Sequence, residues 1–332
     1  MKIARKKHIL LSAFLILFVA GVFIWRGTET QKESAKKEIT LAVSTVGKTH
    51  DWAKDVMESA QDELKKVAER QGWNVICVSA EDTYQQSQQV TELVEQQVDG
   101  IILLPMDGAS LKTAAITVQR AGIPLVIFDR EIPEFAPTST VKGDNRGIGV
   151  ETAKYLNDYF PHGTTVLELM GDTSTVPFQR TDGFDNTLNS NFQKIQVGYT
   201  EWQREYTREM FEQWIEQQKP EVLAEVGAIF THDDEIALGV LDVLDQYEAE
   251  NRRDMLFPNL KVIAGSSSNQ KMYQRIKEEE HYELFSMTYD FEMMRQAVRR
   301  GEEILSGEEY EEMTIIPTVR VDKDNVDDYL EK

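Results

Sequence analysis

The sequence holds a single cysteine among 332 residues, Cys77. No disulfide can form within the chain, and Cys77, inside the apolar run NVICVS, reads as a small buried hydrophobe. Basic residues are scarce too: 36 Lys and Arg stand against 57 Asp and Glu, for a formal net charge of −21. Phosphate backbones are bound by clustered Lys and Arg, so this balance argues against a nucleic-acid partner. There is no G-x-S-x-G elbow, no P-loop and no G-x-G-x-x-G fingerprint. His232-Asp233-Asp234-Glu235 sets potential metal ligands side by side. Adjacent residues do not share one helix face as i, i+4 ligands do, so the run is not read as a metal site. Neither a catalytic centre nor a cofactor is expected.

Long hydrophobic runs are confined to one place. Lys2, Arg5, Lys6 and Lys7 precede residues 9–25, which carry no charge. At about 1.5 Å per residue, such a run nearly spans a hydrocarbon core of about 30 Å. The expected arrangement is a cytoplasmic basic flank over 1–8, a transmembrane helix over 9–25 that anchors the chain, and a polar tether over 26–38. A cleaved signal peptide is the other reading, although Phe18-Val19-Ala20 is a poor small-x-small cleavage site. No cysteine follows the run to carry a lipid.

What the chain has in quantity is alternation. Residues 99–131 are the clearest stretch: an apolar run over 101–104, a helical pattern through Leu111, Ala115 and Val118, a stop at Gly122-Ile123-Pro124, and a second apolar run. Continuous apolar strands joined by a helix suit a parallel sheet covered on both faces. Ligands in such sheets bind beyond the carboxyl ends of the strands, where Asp129 and Arg130 fall. Further strands are expected over 39–43, 73–78, 139–141, 165–170, 195–198, 228–230, 262–265 and 284–289, with one tail strand over 315–321. Helices lie between them, including 52–70, closed by Gly72, and one around 181–190. Two successive alternations predict two α/β domains.

Taken in order, AVST, GIILLPMDGASL, AGIPLVIFDRE, GDNRGIG, Gly183-Phe184 behind Arg180, HDDEIALGVL and KVIAGSSS carry a resemblance. Over about residues 39–323 the chain resembles the periplasmic sugar-binding proteins of the ribose, galactose and xylose type, whose fold lactose-repressor effector domains share. The resemblance implies the type I periplasmic binding protein fold: α/β, two doubly wound parallel-sheet lobes joined by three crossing segments. Lobe 1 would be 39–143 with 291–314, and lobe 2 would be 144–290 with 315–332, the ligand enclosed between them. It also implies, position by position, that Asp129 and Arg130 grip sugar hydroxyls and that Arg180 does so from the second lobe. Trp202 and Trp52 would supply aromatic faces. Asp233 stands where the family has asparagine, Ser267 where it has a strand-end aspartate, and Asp290 where it has a glutamine at the final crossing. Those three departures mean that the family's particular sugars do not carry over.

The chemistry suits the residue types. Sugar hydroxyls donate and accept, carboxylates accept from them, arginine donates in a fixed fork, and tryptophan covers a C–H face. Plainer roles stay open for each. Asp129 and Arg130 could form a structural ion pair, Arg180 could bridge Asp182 or Asp185 on its own helix, and Trp52 and Trp202 could be packing. Asp233 to Glu235 could simply cap the helix that follows. Two functions fit: a solute-binding protein serving an ABC permease, or a membrane-tethered sugar sensor whose closure is read by a sensor kinase.

Overall fold

The computed structural model describes residues 38–47 and 51–330. The anchor expected over 9–25 and nearly all of the tether lie outside those residues. Among the described residues no helix is long and apolar enough to cross a membrane. From Thr40 the chain forms one compact unit, built on two six-stranded sheets.

The first sheet runs in the order β11-β5-β4-β3-β1-β2, from β1 (Thr40–Val46), β2 (Asn74–Ala80), β3 (Gly100–Leu103), β4 (Leu125–Phe128), β5 (Ser139–Gly143) and β11 (Met313–Ile316). All its pairings are parallel. The second runs β12-β10-β9-β8-β6-β7, from β6 (Thr165–Met170), β7 (Gln193–Tyr199), β8 (Val226–Thr231), β9 (Val262–Ser266), β10 (Glu283–Met287) and β12 (Arg320–Val321). Only β12 pairs antiparallel in this sheet. Strands β3, β4, β6, β8 and β9 are buried along their whole length. Edge strand β2 is half-buried and β11 partly exposed, because an edge has a neighbour on one side only. Cys77 sits on β2 and is half-buried rather than buried; burial still pushes its thiol up to about 11, so it is a poor nucleophile.

Helix α1 (Asp51–Gln71) lays Ala53, Val56, Ala60, Leu64 and Val67 on the first sheet, each nearly fully buried, and ends at Gly72 with φ +68. Helices α2 (Thr83–Glu95) and α3 (Gly108–Arg120) cover the other face around Val90, Leu93, Leu111 and Val118. The second lobe is built the same way around α4 (Asn145–Tyr159), α5 (Thr175–Asp185), α6 (Arg204–Gln217), α7 (Pro220–Ala224), α8 (Asp234–Ala249), α9 (Arg253–Leu256) and α10 (Gln270–Glu278). The chain changes lobe where β5 gives way to α4, where β10 leads through 288–292 into α11 (Met293–Ser306), and where 317–319 join β11 to β12. Helix α11 packs on α1 and on β3 to β5, so it belongs to lobe 1.

Two element readings are corrected here. The tail is not one strand over 315–321: Pro317 lies inside that range, and a residue with no N–H cannot sit mid-ladder, so β11 stops at Ile316. The helix expected around 181–190 starts six positions earlier, at Thr175, and carries Pro177 in its first turn, where a missing N–H costs nothing. Arg180 is therefore inside a helix and not ahead of one.

Candidate functional site

In each sheet the strand order reverses beside the first strand of the lobe, between β1 and β3 and between β6 and β8. Such switch points leave a crevice at the carboxyl ends of the strands, and between the two lobes lies a small cavity of about 20 Å³, the space left where the lobes meet. Lobe 1 lines it with Trp52, Asp129 and Arg130; lobe 2 brings Val176, Arg180, Trp202 and Asp233; Tyr289 enters from a crossing segment.

Two of these side chains rest on left-handed backbone. Asp129 has φ 64 directly after β4, and Trp202 has φ 61 after β7. Such angles are uncommon outside glycine and cluster at functional sites. Arg130 donates from Nη1 to the Met106 carbonyl at 2.6 Å, and its Nη2 meets Asp172 Oδ2 of the other lobe at 3.1 Å. Its Nε is 3.9 Å from Asp129 Oδ2, a looser contact. Asp129 Oδ1 instead accepts from the Tyr289 hydroxyl, which in turn accepts from Asn145 Nδ2 at 2.9 Å.

Arg180 is 2% exposed and is held by lobe 2 through Nε and Nη1. Its Nε donates to Asn145 Oδ1 at 3.0 Å, and its Nη1 donates to Ser266 Oγ at 2.9 Å and to the His232 carbonyl. The guanidinium carbon lies 4.7 Å from the Tyr289 ring centre and 5.7 Å from that of Trp202. Asp182 and Asp185, its alternative partners, pair with Arg146 and Lys194. Trp52 stacks on Phe128 at 6.4 Å and donates from Nε1 to the Tyr289 carbonyl at 3.2 Å. It is both packing and cavity wall.

A model of the periplasmic binding protein domain matches residues 41–309 of this chain. The chain belongs to that family. The ribose import binding protein of Bacillus subtilis is 27% identical over 212 residues, 63% of this chain and 67% of the relative. An ABC transporter solute binding protein from Bacillus halodurans C-125, solved with bound myo-inositol, has a TM-score of 0.76 at 20% identity, covering 88% of this chain and 97% of that one. The fructose-binding periplasmic domain of a hybrid two-component system has a TM-score of 0.75 at 18% identity, covering 87% and 92%. These two likenesses speak to the fold.

Within this periplasmic binding protein domain, Asp233 does cap α8, accepting from the Glu235 N–H at 2.8 Å, and it faces the cavity as well. Burial, and then Asp234, push its carboxyl well above the usual range. Asp129 is raised by burial too, against the pull of Arg130 and Tyr289. Burial lowers Arg180, while Tyr289, Asp233 and Asp129 favour its charge. His232 Nε2 lies 3.2 Å from Glu168 Oε1, both groups fully buried in lobe 2.

Two residues singled out in the sequence stand elsewhere. Ser267 is buried beside the cavity and lines a neighbouring groove that shares Trp52 and Asp233. Asp290 is exposed, its carboxylate accepting from the Glu292 N–H at 2.8 Å ahead of α11. The crossing residue in the cavity is its neighbour, Tyr289. Asp172, Asn145 and Ser266 were not singled out either. Asp172 had a signal, since like Asp129 it follows an apolar strand closely; Asn145 and Ser266 act through Arg180, which no spacing reveals.

Proposed function

We propose that this protein is an extracytoplasmic solute-binding protein that encloses one monosaccharide, a pentose or hexose, and delivers it to an ABC importer without chemistry on the sugar. The observation that carries this reading is the convergence of Asp129 and Arg130 from one lobe with Arg180, Asp233 and Trp202 from the other on one confined cavity. Fork donors, carboxylate acceptors and two indole faces are what a polyhydroxylated ring needs. A ligand touching both lobes at once favours the closed arrangement over the open one. The relative named for ribose import and the neighbour holding myo-inositol support the same ligand chemistry.

A second reading is a membrane-anchored sensor whose closure is read by a sensor kinase. It is favoured by the neighbour that is part of a two-component system and by the uncharged run over 9–25.

The test is melting of a fragment from Lys37 onward against pentoses, hexoses and inositols, since binding only the folded state raises the melting temperature. Stabilisation by an amino acid or nucleoside, with no sugar effective, sinks the assignment. With a sugar in hand, Arg130→Ala should weaken binding about tenfold or more, as expected for a charged hydrogen bond of roughly 1.5–3 kcal/mol. Unchanged affinity would mean the cleft has been misplaced.

A further inference from the structure

Glu168 is a fully buried carboxylate on β6, between β7 and β8, and it does not line the cavity. Its Oε1 accepts from Thr181 Oγ1 of α5 at 2.7 Å and lies 3.2 Å from His232 Nε2, just beyond β8. Its Oε2 accepts from Gln196 Nε2 at 3.1 Å and meets Lys194 Nζ at 2.9 Å, both on β7. Burial disfavours its charge, but His232, Lys194 and Thr181 outweigh that and hold it at about 2, so it is ionised at neutral pH. Burial keeps His232 below its usual range; the neutral ring donates from Nε2 to the carboxylate and leaves Nδ1 without a partner.

Two of these contacts lead to Arg180. Thr181 is the next residue on the same helix, and the His232 carbonyl accepts from Arg180 Nη1. His232 also precedes Asp233, the cavity carboxylate. The groups that accept from Arg180 itself, Asn145 Oδ1, Ser266 Oγ and that carbonyl, are all neutral. They orient the guanidinium without an ion pair, and the nearby carboxylate acts on the backbone around it.

We propose that Glu168 is a positioning residue for ligand binding: it aims Arg180 into the cleft through Thr181 on one side and the His232 backbone on the other, and never touches the ligand itself. This rests on the reading of Arg180 as a ligand residue. Charged hydrogen bonds are directional, so the aim of a guanidinium matters as much as its presence. What separates this role from mere support of lobe 2 is the route each contact takes. Those through Thr181 and His232 reach Arg180. The bond from Gln196 comes from an exposed side chain on edge strand β7 and bears on neither. Removing it should loosen the lobe and leave the arginine where it is.

The experiment uses the full chain with Glu168→Gln, Thr181→Val and Gln196→Met, and titrates each by calorimetry with D-ribose, D-xylose, D-galactose and myo-inositol. For a probe that the wild type binds, Glu168→Gln should weaken affinity about tenfold or more, because Arg180 loses both of its references. Thr181→Val, which keeps the side-chain shape and removes the hydroxyl, should weaken it about threefold or more. Gln196→Met should melt below the wild type and yet bind within about twofold of it. Unchanged affinity in Glu168→Gln and Thr181→Val overturns the proposal, and so does an equal loss in Gln196→Met. If Glu168→Gln fails to fold, the contrast between the other two variants decides.

Amide hydrogen exchange without any sugar gives a second readout. Thr181→Val should speed exchange over 175–185 about fivefold or more while leaving 262–266 and 283–287 as in the wild type. Exchange raised evenly across lobe 2 marks support alone and overturns the assignment. If the wild type binds none of the four probes, the sugar reading fails and the exchange pattern alone decides whether Glu168 aims α5.

Discussion

Asp233 and Asp234 open α8 side by side, and both are carboxylates held in a buried place. Asp234 Oδ1 accepts from Ser286 Oγ at 2.7 Å and Oδ2 from the Asn269 N–H at 3.0 Å. Burial nonetheless pushes it from 3.8 up to about 6. A carboxyl raised on folding stabilises the fold fully below its unfolded value, and that contribution is lost as pH rises through the folded one. The difference of about two units corresponds to roughly 3 kcal/mol at neutral pH. Glu168 runs the other way: burial raises it, but His232, Lys194 and Thr181 outweigh that and hold it at about 2. Its contribution is present above its unfolded value and lost as pH falls towards 2. Asp234→Asn can keep the Asn269 bond with its amide oxygen and donate to Ser286 with its nitrogen. It should melt above the wild type at about pH 7.5, and the gap should close near pH 4; a gap independent of pH refutes the assignment. At this scale the sequence misleads by one position. Side chains on extended chain alternate in direction, so whether Tyr289 or Asp290 faces the cleft turns on a one-residue phase that composition does not carry. A carboxylate looked like the sugar ligand, and the phenol beside it is the one inside.

Arg180 is aimed by the contact between α4 and α5. A Cβ at Gly149 of α4 would lie 2.0 Å from the Arg180 carbonyl oxygen on α5, so the two helices touch backbone to backbone. Gly149→Ala must push α5 outward. Overpacking of this kind costs about 1–3 kcal/mol, and it should also weaken ligand binding about fivefold or more, because Arg180 moves with its helix. Urea denaturation and titration of one preparation check both effects. Lost stability with intact affinity would show that α5 does not position the arginine. The long elements were legible because periodicity over many residues is hard to misread: α1, α8 and the buried strands all stand where apolar spacing puts them. Short ones were not. Helix α7 spans five residues, too few for a periodic signal, and the start of α5 was hidden because a proline inside a helical turn reads first as a break. The division of the tail into β11 and β12 is legible in Pro317, which has no N–H to give a ladder.

Across the whole molecule, the pair of Arg130 with Asp172 joins the lobes directly, at 3.1 Å and with both side chains largely buried. It is a contact available only when the cleft is shut, so it biases the unliganded protein towards closure. Asp172→Asn should increase the radius of gyration of the unliganded protein in X-ray scattering, and it should lower apparent ligand affinity by up to about tenfold. If the scattering curve and the affinity both stay as in the wild type, the pair is no latch. The crossing pattern has a further consequence, for synthesis. Lobe 1 opens with Thr40 and gains its last strand only at Met313–Ile316; lobe 2 waits for Arg320–Val321. Neither sheet can be finished as the chain leaves the ribosome, because each lacks an edge until this late stretch has emerged. A chain ordered in this way completes both lobes together, once nearly all of it has been made.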